Sequence, residues 1–212
     1  MKYRVVLFAI LLLSGCSGLK FDDSYQAVGQ DSRVQFIVLH YTSSDLPRSL
    51  YLLSEKDVSS HYLIAEKPAT IYRLVDESRR AWHAGNSQWN GRTWLNSSSI
   101  GIEMVNQGYS DTPAGRVWQP WSAEQIDALV LLLKDIMQRH GLTADSVVGH
   151  SDIAPQRKVD PGPAFPWQRL APQWPEAASG KSAAAGAGDH RWVGPAFVPP
   201  GHRSNPCLAT GT

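Results

Sequence analysis

Cysteine is almost missing from this chain: of 212 residues only Cys16 and Cys207 carry thiols. Two cysteines at the far ends of a chain cannot build a disulfide framework or a closed four-thiolate metal site. Any metal must therefore be held by histidine, aspartate or glutamate. Long apolar runs are missing too. Val5 to Leu13 is nine residues, too short to cross a bilayer. No block of Lys or Arg occurs and the formal net charge is +1, so nucleic acid has no electrostatic footing here. HExxH, the commonest metallopeptidase arrangement, does not occur, and there are no internal repeats.

What remains is the composition of one globular domain, 42% apolar and 18% charged. Its N-terminus is set apart. Lys2 and Arg4 precede the short apolar run, and Leu13-Ser14-Gly15-Cys16 follows it, resembling a bacterial lipobox. That pattern implies cleavage before Cys16 and lipidation of its thiol. Residues 1–15 then read as a lipoprotein signal peptide, and 16–32 as the lipidated N-terminus and a polar tether. The folded domain is expected over 33–176. Over 177–212 no apolar period survives and 21 of 36 residues are Ala, Gly, Pro or Ser, the composition of a disordered tail. Processing leaves 18 basic against 19 acidic side chains, a formal charge of about −1. The chain is taken as a monomer.

Within the domain, Val34 to Leu39 is a β-branched, apolar run of the kind buried on both faces, and it delivers His40 at its end. Leu46 to Leu53 reads as a short helix. Ser59 to Ala65 and Thr70 to Val75 read as a hairpin, with His61 a hydrogen-bonded core residue. The Trp-, Asn- and Gly-rich stretch from Trp82 to Ser98 either lines a groove or packs back on the domain. Ser99 to Val105 is a strand with Ile100, Ile102 and Met104 on one side and Gly101 and Glu103 on the other. Ser122 and Gln125 have capping-box spacing before the best helix, and Gly141 is its stop signal. Ser146 to Gly149 is a strand ending in His150.

After His150 comes a proline-stiffened segment, expected to be non-helical, that carries Lys158 and Asp160. Two imidazoles and one carboxylate (His40, His150, Asp160) are a ligand set that zinc accepts while keeping a fourth position open for water. Such an ion lowers the pKa of bound water to about 7. Amide hydrolysis also needs a proton carrier and a cation for the developing oxyanion. Glu103, a lone carboxylate among β-formers, is the candidate for the first and Lys158 for the second. The spacing of these residues is by itself a weak signal.

Five segments strengthen it: HYTS at 40–43, SSHYLI at 59–64, AWHAG at 81–85, SIGIEMVN at 99–106 and GHSDIAPQRKVDPGPAFPW at 149–167. Together they resemble the zinc-dependent N-acetylmuramoyl-L-alanine amidases of the type-2 amidase family, AmpD/AmiD branch, and its AmiD-like lipoproteins in particular. The resemblance implies an α/β (α+β) fold, a mixed central sheet flanked by helices like that of peptidoglycan-recognition proteins. It implies one zinc ion on His40, His150 and Asp160, and catalysis by Glu103 and Lys158. It further implies substrate contacts from Trp82, His83, Asn106 and Arg157. The substrate implied is peptidoglycan or muropeptide, cut between N-acetylmuramic acid and L-alanine. With Cys16 lipidated, the location implied is the periplasmic face of the outer membrane. The alternatives are a peptidoglycan-recognition module without catalysis and a zinc peptidase acting within the stem peptide. Members of this type commonly carry a C-terminal peptidoglycan-binding helical domain, and the 177–212 tail does not resemble one.

Overall fold

The structure, a computed structural model, describes residues 19–170. The expected signal peptide, Cys16 and the 177–212 tail lie outside the described residues. Of the described residues, 19–31 belong to a unit separate from that beginning at Ser32, and the second unit holds all elements below.

In chain order these are β1 (Phe36–Tyr41), α1 (Leu46–Glu55), β2 (Tyr62–Ile64), β3 (Ile71–Arg73), β4 (Gln88–Trp89) and β5 (Arg92–Thr93). Then come β6 (Ser99–Met104), β7 (Tyr109–Thr112), β8 (Gly115–Trp118), α2 (Ala123–His140), β9 (Val147–Gly149), α3 (His150–Ile153) and α4 (Trp167–Leu170). Five strands form one sheet in the order β3-β2-β6-β1-β9. β1 lies parallel to β6 and β9, β2 parallel to β6, and β3 closes one edge antiparallel. β1 sits between two parallel neighbours and is buried along its whole length, which is why Phe36 to Leu39 are all apolar instead of alternating.

Strand periodicity sorts the two faces. Ile37 and Leu39 of β1, with Ile100, Ile102 and Met104 of β6, pack beneath α2, where Ile126, Leu129, Leu133 and Ile136 are buried. A fully buried side chain of this kind contributes about 1.5–3 kcal/mol. Ser122 caps α2 by accepting from the Gln125 N–H, and Gly141 ends it at φ 66°, a left-handed position that costs glycine little. Gln125 is fully buried, and its Nε2 donates to the carbonyls of Ile64, the last residue of β2, and Val105, just past β6. The helix start is thereby bolted to the C-terminal edge of the sheet.

On the other face lie Phe36, Val38 and His40, in register with Ser99, Gly101 and Glu103. Ala84, Leu95, Val148 and Ile153 cover part of this face, leaving its C-terminal end open. The hairpin expected around residues 66–68 is present as β2–β3. Other features were not anticipated. β7 and β8 form a hairpin with no apolar alternation to announce it, being mostly exposed. The segment after β9 begins as the short helix α3, because Asp152 reaches back to accept the Gly149 N–H at 2.7 Å and initiates a turn before Pro155 stops it. Among the described residues no helix is long and apolar enough to cross a membrane.

Candidate active site

Three of the predicted residues converge where β1 and β9 end. His40 is the fifth residue of β1, and His150 follows the last residue of β9, which pairs with Leu39. Asp160 is returned to them by the stiff segment, whose ends are tied by the Ser151 N–H donating to the Asp160 carbonyl at 2.8 Å. His40 Nδ1 and His150 Nδ1 stand 2.9 Å apart, and each lies 3.1 Å from Asp160 Oδ2. All three side chains are buried.

The outer nitrogens identify what the inner atoms offer. His150 Nε2 lies 3.1 Å from the Ala84 carbonyl, which can only accept, so Nε2 donates there and Nδ1 is the atom turned to His40 and Asp160. Burial keeps His40 neutral, pulling its imidazole down to about 4 against the opposing pull of Asp160. Burial pushes the Asp160 carboxyl up, and the nearness of His150 and His40 more than reverses this, holding it below the usual carboxylate range. Two imidazole nitrogens and an ionised carboxylate are a donor set that zinc accepts. Tetrahedral ligands at about 2.0–2.2 Å from one ion stand about 3.3–3.6 Å apart, so the three atoms need to open by only a few tenths of an ångström. The residues fit a metal ion.

The trio faces a cleft of about 380 Å³ that Glu103, Lys158, Trp82, His83 and Arg157 also line. Glu103 is paired in register with His40 across β1 and β6. Its Oε2 is buried and has no hydrogen-bond partner among the described residues. Burial lifts its carboxyl to about 8, Asp160 adds to the shift and Lys158 opposes it. A carboxyl poised in that range takes and gives a proton near neutrality.

The expected substrate residues divide. Trp82 is half exposed on the cleft wall. Arg157 lines the cleft, but its Nη2 donates to the carbonyls of Ala84 (2.7 Å) and Asn86 (2.9 Å), so it also clamps the 84–86 loop. His83 lines the cleft with both ring nitrogens against protein groups, Nδ1 toward His40 and Nε2 toward Ser99. Asn106 lies apart from the others. It is buried, its Oδ1 accepts the Gly108 N–H at 2.7 Å in the turn into β7, and it is not among the residues lining the cleft. Trp89 packs inward on the Leu95 cluster and Trp94 stands outside the cleft lining. His61 accepts the Gly101 N–H and faces the Arg79 carbonyl, a structural role as expected.

Sequence reasoning overlooked Ala84, whose carbonyl orients His150, and Ser99, which faces the same side as Gly101 and Glu103. The period-two spacing of Ser99, Gly101 and Glu103 was the available signal.

The sequence profile described as N-acetylmuramoyl-L-alanine amidase matches residues 30–163. The N-acetylmuramoyl-L-alanine amidase AmiD of Escherichia coli is 43% identical over 195 residues, covering 83% of this chain and 71% of that protein. The 1,6-anhydro-N-acetylmuramyl-L-alanine amidase AmpD of Enterobacter cloacae is 40% identical over 107 residues, covering 50% of this chain and 52% of that protein. Among solved structures, E. coli AmiD in complex with the substrate anhydro-N-acetylmuramic acid-L-Ala-D-γ-Glu-L-Lys superposes with TM-score 0.71 at 46% identity, over 74% of this chain and 63% of that one. AmpDh3 from Pseudomonas aeruginosa in complex with anhydromuramic pentapeptide gives TM-score 0.68 at 39% identity, over 74% of this chain and 66% of that one.

Proposed function

The chain belongs to the N-acetylmuramoyl-L-alanine amidase family, and from that premise we propose that it hydrolyses the amide between N-acetylmuramic acid and L-alanine in peptidoglycan or its muropeptides. The proposed cofactor is one zinc ion, held by His40, His150 and Asp160. The single observation that carries this reading is the meeting of three buried ligand atoms within about 3 Å of one another beside an orphaned carboxylate oxygen. The anhydro-muramyl peptides bound by the two solved relatives support the substrate class.

When bound, zinc acts as a Lewis acid at the scissile carbonyl and activates water at neutral pH. The chain's own residues do the rest. Glu103, lifted to about 8 by burial, accepts the proton of the attacking water and returns it to the leaving amine of alanine. Lys158, which lines the same cleft, supplies positive charge for the tetrahedral oxyanion. Trp82 offers an apolar face on the cleft wall to the sugar or stem peptide. The enzyme acts as a monomer, held by a lipid on Cys16 at the periplasmic face of the outer membrane. Support for the anchor is the Leu13-Ser14-Gly15-Cys16 pattern; a free Cys16 thiol in the mature protein would contradict it.

Mass spectrometry of products from purified muropeptides tests the activity. Release of an intact stem peptide with a new alanine amino terminus is expected. Fragments cut between two stem-peptide residues would instead indicate a peptidase, and binding without any product a recognition module.

A further inference from the structure

His40 is the one proposed ligand whose outer nitrogen faces a second histidine, 3.0 Å from His83 Nδ1. An imidazole pair of this kind is ambiguous, because either ring can donate. The proton order is settled two groups away. Ser99 Oγ lies 2.6 Å from the Leu95 carbonyl oxygen, a separation that two oxygens tolerate only with a proton between them, and only the hydroxyl can supply it. With its single proton committed, Ser99 Oγ must accept from His83 Nε2, 3.2 Å away. Neutral His83 then presents a lone pair at Nδ1, which accepts from His40 Nε2–H. His40 Nδ1 is thereby left with a lone pair, aimed at His150 and Asp160.

The slot that holds His83 is built for it. A Cβ placed on Gly101 would come within 2.4 Å of His83 Cγ and 2.7 Å of its Nδ1, so the ring sits directly against Gly101 of β6, where any other residue would displace it. The loop is fixed from behind as well, since Asn96 Oδ1 accepts the backbone N–H groups of both His83 (3.1 Å) and Ala84 (2.7 Å). One dipeptide therefore serves both imidazoles: Ala84 through its carbonyl to His150, and His83 through its ring to His40.

We propose that His83, seated on Gly101 and anchored by Ser99, is a positioning residue for the metal centre that sets the proton of His40 on Nε2 and frees Nδ1 for the ion. The device changes no net protonation; it selects between two neutral tautomers of His40. It also assigns the ring a role other than the substrate contact implied by the AWHAG resemblance. The inference rests on the reading of His40, His150 and Asp160 as a zinc site.

Zinc affinity, measured by chelator competition on the full chain, separates positioning from packing. His83→Phe keeps a ring but has no acceptor, and its affinity is expected to fall by about 10–100-fold, the usual cost of losing such a partner. His83→Gln keeps an acceptor for His40 and a donor for Ser99, and is expected to stay within about threefold of wild type. Equal loss in both variants, or no loss in His83→Phe, overturns the proposal. Should His83→Phe not fold, ¹⁵N imidazole spectra of the wild-type chain decide instead. A protonated Nε2 and bare Nδ1 on His83 are expected, and the opposite tautomer overturns it. A wild-type chain that binds no zinc overturns the metal site and the inference together; one that binds zinc with the opposite His83 tautomer overturns only the inference.

Discussion

Two clusters of histidine and carboxylate occupy this domain, and they are built on opposite principles. Near the start of β1, Glu77 is surrounded by donors. Arg139 reaches both carboxylate oxygens, the Tyr62 hydroxyl donates at 2.6 Å, and His140 Nε2 lies 2.9 Å away with its Nδ1 against Ser32 Oγ. At the other end of β1, Asp160, His40 and His150 bring acceptors together, with the unpartnered Glu103 Oε2 beside them. A cavity of about 640 Å³ opens at the Glu77 cluster and a smaller one at the trio. Size does not mark the functional site. The balance of donors and acceptors does, because a cluster with surplus lone pairs calls for a cation while a matched one is already complete.

Removing each cluster's key groups separates the two. The largest effect is expected at Glu103: Glu103→Ala should lower kcat by about 10²–10⁴-fold while leaving zinc content unchanged, as measured by turnover and metal analysis. Near-normal turnover would remove Glu103 from the reaction. Lys158→Ala is expected to cost about 10²–10³-fold in kcat with little change in KM, the pattern of a charge that acts mainly in the transition state.

The matched cluster should respond in stability instead. Glu77→Gln removes charge from a carboxylate surrounded by donors and is expected to cost about 1–3 kcal/mol in denaturant unfolding, with kcat preserved. Its pH dependence has a definite sign. Burial opposes ionisation of Glu77, but the hydrogen bonds from Arg139, Tyr62 and His140 outweigh it and bring the carboxyl down to about 2 from an ordinary 4.5. The depressed value stabilises the fold fully above about pH 4.5, and that contribution fades as pH falls toward 2. Glu77→Gln should flatten that part of the stability–pH curve. The smallest effect is expected at Asn106, which lies outside the cleft. Asn106→Ser should leave KM within about twofold, whereas a large rise would restore Asn106 as a substrate contact.

How much of this was legible in the sequence depended on whether a residue's partner was local. Ser122 and Gly141 carry their own signals, so α2 was readable at both ends. Apolar runs identified β1, β6 and β9, and strand ends followed by histidine indicated where a cleft would open. The exposed β7–β8 hairpin has no apolar face to betray it. The α3 turn depends on Asp152 folding back on Gly149, which outweighed the expectation of a non-helical segment from the prolines that follow. Asn106 belongs to the motif at 99–106, but membership of a motif says nothing about the direction of a side chain, and its burial outside the cleft lining was not legible. Ser99 and Ala84 act through the proton order of distant imidazoles, and no spacing rule reports a hydrogen-bond direction.

Zinc stoichiometry, measured on the metal-loaded wild type and on His150→Ala/Asp160→Ala beside Glu77→Gln, tests most directly whether surplus acceptors make the site. One equivalent of zinc per chain is expected in the wild type and in Glu77→Gln, with none retained by the double variant. Zinc retained by the double variant, or lost from Glu77→Gln with the fold intact, would contradict the placement of the metal centre at His40, His150 and Asp160.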